Sequence, residues 1–155
     1  MNIVEIFVRW IHISAAILAI GTAIVTRYVV LPLLYGVAEE RRVEVNERIR
    51  ATLAKFAMIS IAFLLMSGLY NYLVVQRPLH AGQAAYHAVM GVKIMLALLM
   101  FFLSSALTGK SEALEGIRRK RKRWLSINIF LGLAIVALAG VLRAMPTVEA
   151  APVAN

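Results

Sequence analysis

Four long apolar runs, each bracketed by charged or turn-forming residues, set the pattern of the chain: 6–34, 55–76, 84–108 and 124–142. Each is roughly 19 to 29 residues long, enough at 1.5 Å per residue to cross a hydrocarbon core about 30 Å thick. Continuous runs of this length are helices, because backbone in lipid has to satisfy its own hydrogen bonds. The pattern predicts an all-α fold, an integral membrane bundle of four transmembrane helices forming a single domain over 1–145. A short, flexible C-terminal tail is expected at 146–155, where the sequence loses its apolar periodicity. The first run is too long, and too rich in large residues at its end, for a cleaved signal peptide, so it is expected to be retained. No internal repeat stands out.

Composition agrees: 61% of the 155 residues are hydrophobic. The net charge of +9 matters less than its placement. Loop 35–54 carries Arg41, Arg42, Arg48 and Arg50, and loop 109–123 carries Lys110 and the run Arg118, Arg119, Lys120, Arg121, Lys122, Arg123. The opposite side holds only Arg9, Arg77 and Arg143. Excess Lys and Arg stay cytoplasmic. The expected topology therefore places both basic loops in the cytoplasm and both termini outside, in a multi-pass protein of a bacterial-type inner (plasma) membrane. The basic run has no aromatic interleaving and no folded domain behind it, which argues against nucleic acid and for a loop that touches anionic lipid headgroups. There is no cysteine, which excludes disulfides, thiolate metal sites, iron–sulfur clusters and covalently attached haem.

The chain has no Asp, and none of its eight Glu lies deep in a predicted helix. Paired-carboxylate chemistry and oxygen-rich cation sites are thereby excluded. What the helices do carry is histidine. His12 lies about two turns into the first helix, roughly 9 Å below the surface, and His87 about one turn into the third. A modest tilt brings the two level. Small residues flank them: Ala15, Ala16 and Ala19 on the face of His12, Ala84 and Gly91 on that of His87, and Ser67–Gly68 in the second helix. A flat macrocycle held between helices needs such neighbours, although small residues also serve close helix packing and a membrane histidine also serves as a hydrogen-bonding core residue. Two imidazoles leave a zinc site incomplete but suit haem iron, whose porphyrin supplies the other four nitrogens. The expectation is one bis-histidine haem b per chain on His12 and His87, with its propionates met by Arg9, Arg77 and Arg143 and by His80. Each of these arginines also reads as an interfacial anchor. Copper is the alternative, favoured by thioethers. However, Met90, Met95 and Met100 are spaced so as to scatter around their helix, and Met58 and Met66 add no ladder.

Two further charges lie within the spans. Arg27 is close enough to the basic loops to snorkel beside Tyr28. Lys93 is about 9 Å deeper than His87 and has no acid at its depth. It either snorkels, donates to a residue such as Asn71, Tyr72 or Asn128, or serves a substrate or quinone.

Residues Trp10-Ile11-His12 in the first helix, Tyr86-His87 and Lys93 in the third, and Arg123-Trp124 followed by Asn128 in the fourth resemble the small four-helix membrane proteins of the HemJ type, oxygen-independent protoporphyrinogen oxidases, and their CopD-type relatives linked to copper. The likeness runs from about residue 8 to 142. It implies haem b on His12 and His87, Lys93 as a catalytic residue, and Trp10 and Asn128 near the cofactor. The function expected is electron transfer in the outer half of the membrane, with a quinone, a tetrapyrrole or a redox protein as partner. A copper-handling protein is the second expectation. The third is a structural subunit using Gly132 and Gly140 for contacts, as a homo-oligomer or inside a larger complex.

Overall fold

The computed structural model describes residues 2–147. The expected tail lies outside the described residues from 148 onward. Four helices are long and apolar enough to cross a membrane: α1 (Ile3–Tyr35), α2 (Glu39–Leu79), α3 (Ala84–Thr108) and α4 (Arg121–Ala144). Among the described residues there is no strand. The four-helix membrane bundle anticipated from the apolar runs is therefore present.

α1 opens with a capping box. The Asn2 side chain accepts from the Val4 amide, and the Asn2 amide donates to Glu5 Oε2 at 3.2 Å, satisfying amides that no preceding turn can serve. Both proline-containing helices widen just ahead of the proline. α1 takes wider, π-type turns over Thr26–Val30 before Pro32, and α2 does so over Asn71–Gln76 before Pro78. A proline lacks the amide proton and crowds the carbonyl four residues back, and a wider turn relieves both faults without breaking the helix.

α2 departs from expectation. Residues 39–54, expected as a loop, continue the helix, so that α2 runs for 41 residues. This stretch contains no Gly or Pro. It is laced by Glu44–Arg48 at 2.7 Å and Glu47–Arg50 at 2.6 Å, pairs one helical turn apart that support a water-exposed helix. Loop 109–123 holds two short helical turns, Glu112–Leu114 and Glu115–Arg119, before α4 begins within the basic run.

The helices alternate in direction, so the start of α1 and the end of α4 share one end of the bundle, and the two basic segments share the other. α1 packs closely on α2, and α3 on α4, as two hairpins. The hairpins meet along looser α2–α3 and α1–α4 seams, leaving α1 and α3 diagonal across the bundle. Met100, Leu103 and Leu131 form a buried cluster at mid-height, with Ala19 and Ile20 packed against it. Gly132 lets α4 approach α1: a Cβ there would sit 2.9 Å from Ile20 Cγ1. Phe7, Trp10, Phe102 and Phe130 point outward, as side chains in lipid are free to do.

Candidate functional site: an intramembrane chamber

The loose seam between the hairpins encloses a chamber of about 210 Å³, to which all four helices contribute. Its walls are mostly apolar. The polar groups on them are His12 from α1, Asn71 and Tyr72 from α2, and Lys93 from α3. The chamber is partly open toward the flank of the bundle, between side chains such as Leu69 and Leu98 that are themselves exposed.

His12 is held by α2. Its Nδ1 lies 2.9 Å from Ser67 Oγ. The Ser67 hydroxyl spends its proton on the Phe63 carbonyl, so Ser67 Oγ accepts and His12 Nδ1–H donates. That assignment puts the lone pair of the neutral ring on Nε2, which has no protein partner among the described residues. Gly68 completes the seat: a Cβ at this position would come within 3.2 Å of His12 Cε1. The small pair Ser67–Gly68 noted in the sequence is thus the platform for the α1 histidine.

His87 is held differently. Its Nδ1 lies 3.2 Å from the Tyr72 hydroxyl, and its ring meets both Tyr72 and Tyr86 edge-on. Tyr72 lines the chamber and His87 does not. The two histidines are not level. Their partners Ser67 and Tyr72 are separated by about 7 Å along α2 at 1.5 Å per residue, with His87 nearer the terminal end. Tyr72 lies within the π-type turns that begin at Asn71, for which Pro78 is the sequence signal.

The other expected residues divide. Lys93 lines the chamber, and among the described residues its amine makes no hydrogen bond or ion pair with protein. Asn71 and Tyr72 share that wall with it. Asn128 does not: it is buried nearer the basic-loop end and donates to Ser104 Oγ at 3.0 Å. Trp10 is 69% exposed, because two residues of helix turn it about 200° away from His12. Arg9, Arg77 and Arg143 are exposed at the terminal end and none lines the chamber. His80 is not a free loop histidine. It is buried, stacked on Tyr86 with ring centroids 3.6 Å apart, and its Nδ1–H donates to the Gln76 carbonyl. Arg27 docks on α4, where its Nε meets the Lys122 carbonyl and Ser126 Oγ, each at 3.2 Å.

No group of three or more His, Cys, Asp or Glu that would hold a metal ion occurs among the described residues. A metal at this site needs most of its ligands from elsewhere, which a porphyrin provides. For His12 the donor chemistry fits haem, since its Nδ1–H is spent on a hydroxyl, the arrangement that orients ligating histidines, and His87 meets the same condition when its Nδ1 carries the proton toward Tyr72. The chamber itself is smaller than the roughly 300–1,000 Å³ of cofactor pockets, so seating a macrocycle requires the hairpins to part along their seam. Met90 and Met100 line the chamber but are about 15 Å apart along α3, too far to share one copper ion.

Comparison with known proteins finds no matching family, no similar curated protein and no similar solved structure.

Proposed function

We propose that the protein is an integral membrane redox protein whose centre is a b-type haem held by His12 and His87, in the half of the bundle nearest the chain termini. The carrying observation is the His12 tautomer: Ser67 takes the Nδ1 proton, leaving an unpaired Nε2 lone pair inside an apolar bundle. A lone pair without a partner is costly there unless a proton or a metal meets it. His87, oriented by Tyr72 from the diagonal helix, supplies the second imidazole. The resemblance to HemJ-type proteins points the same way.

When bound, haem iron supplies one-electron redox chemistry. The chain's own residues do the rest. Ser67 and Tyr72 fix the orientation of the two rings, and Gly68 makes room for the first of them. The apolar walls keep water out. Lys93 holds an amine at the chamber wall with no protein acceptor, where it can bind an anionic or carbonyl group of a quinone or tetrapyrrole substrate arriving through the seam. Arg9, Arg77 and Arg143 sit at the terminal end, where a propionate or a partner protein's acidic surface would meet them.

A second reading has its own support: His12 and Lys93 share the chamber while His87 stands off it. A metal-free site binding a lipid-soluble carbonyl or acid through Lys93 uses only that pair.

The reduced-minus-oxidised optical spectrum of the purified protein separates the two. The haem proposal expects a b-type spectrum that is lost in His12→Ala and His87→Ala, and weakened in Ser67→Ala. A colourless wild-type protein, isolated folded from a haem-replete host, rejects it. In that case, binding of a quinone analogue that is lost in Lys93→Met supports the metal-free site.

A further inference from the structure

Nearer the basic-loop end lies a second cavity of about 40 Å³, which plays no part in the function proposed above. Its walls come from all four helices and include Thr26, Ser104, Thr108, Arg121 and Asn128. Two buried polar atoms on these walls lack a hydrogen-bond partner. One is Oδ1 of Asn128, a residue only 2% exposed, and the other is Nε of Arg121. Of their other polar groups, Asn128 Nδ2 donates to Ser104 Oγ, and one Arg121 terminal nitrogen donates to Asn46 Oδ1 at 3.1 Å. The orphans are therefore not satisfied by any rearrangement of those bonds that leaves them intact.

An unpaired buried acceptor costs about 1–3 kcal/mol, and a dry cavity is an apolar one. The walls of this cavity are mostly apolar but carry these two orphaned groups, and its volume admits water. A water molecule takes about 30 Å³ of liquid volume and wants two to four polar partners. Asn128 Oδ1 offers an acceptor to one water and Arg121 Nε a donor to another, the two residues lying about 10 Å apart along α4. We propose that this cavity is a hydrated inlet, filled from the basic-loop face and ending below the His12–Lys93 chamber. Ala19, Met100 and Phe101 line both spaces and form the partition between them. The basic-loop side then has aqueous access to within one layer of side chains of the only amine and imidazole in the chamber, whether or not a metal binds above.

The chain has no cysteine, so single introduced thiols report without background. A thiol reacts as its thiolate, and thiolate forms only where water reaches it. Ser104→Cys and Ala57→Cys, both on the cavity wall, are compared in full-length protein in lipid vesicles with Phe102→Cys, at similar depth but 51% exposed on the outer flank of α3. The probe is a charged, membrane-impermeant methanethiosulfonate, added to one face at a time. The expected result is labelling of Ser104→Cys or Ala57→Cys at least about tenfold faster than Phe102→Cys, from the basic-loop face alone. Adding Asn128→Leu, which fills the cavity, should slow it. Labelling of both wall positions no faster than Phe102→Cys, or only from the terminal face, overturns the proposal. Should one wall variant fail to fold, the other carries the test, and a spectrum-negative protein can still pass it.

Discussion

A histidine inside a bundle is defined by its surroundings as well as its hydrogen bonds, and the three in this chain are held in three different settings. His80 gives its Nδ1 proton to Gln76 and buries its unpaired Nε2 away from the chamber, with its ring stacked on Tyr86. His87 leans on Tyr72. His12 donates to Ser67 and keeps an open lone pair. Glycines show the same dependence on surroundings. Gly132 and Gly140 look alike in sequence, both in α4 and both candidates for helix contacts. A Cβ on Gly132 would press into Ile20, whereas nothing lies within 4 Å of one on Gly140. Gly132→Ala is therefore expected to destabilise the bundle by about 1–3 kcal/mol through overpacking. Gly140→Ala should be neutral or stabilising by up to about 1 kcal/mol from helix propensity. Thermal unfolding of the two variants in detergent checks this, and equal midpoints would contradict the close approach of α4 to α1.

At the scale of elements, α2 is the organiser. It seats His12 through Ser67 and Gly68, steers His87 through Tyr72, and reaches beyond the apolar zone as a charged helix over residues 39–54. In that extension Arg50 and Arg48 differ sharply in exposure. The Arg50 side chain is 11% exposed, pairs with Glu47 and donates to the Gly109 carbonyl at 2.7 Å, tying α2 to the end of α3. The Arg48 side chain is 80% exposed and pairs only with Glu44. Arg50→Ala should cost about 1–3 kcal/mol, because it strands a partly buried carbonyl, whereas Arg48→Ala should stay within about 0.5 kcal/mol. Chemical denaturation of the reconstituted protein distinguishes them. The helical extension was legible in hindsight from its Glu–Arg spacing and its lack of Gly and Pro. The apolar pattern that marks a membrane span is silent about a helix that continues into water.

For the whole molecule, charge asymmetry carries a proposal about orientation, which a topology reporter tests. The cationic residues crowd the end formed by α2's extension and loop 109–123, and the positive-inside rule predicts that this face is the cytoplasmic one. A reporter enzyme active only outside the membrane should work when fused after residue 147 and stay silent when inserted at Gly116. The reverse result would invert the topology and relocate the proposed haem centre to the inner half of the bilayer. The two-hairpin construction has a dynamic consequence as well. Tight packing within each hairpin and a looser seam between them concentrate any opening at the chamber, where a ligand larger than its resting volume would have to enter.

The bilayer acts on sequence one dimension at a time: every residue of a span must be apolar or compensated, and loop charge alone biases which side is which. Span number, antiparallel order and the charged face could accordingly be read from residue order. So could the positions of His12 and Lys93 along their helices, since helical rise is constant. Rotation about each helix axis, and the choice of neighbour, depend on which side chains interlock, and lipid exerts little preference between one apolar face and another. Packing alone therefore turned Trp10 outward and set His87 behind Tyr72. It also drew Asn128 away from the chamber to a second cavity with Arg121, which six consecutive basic residues had concealed.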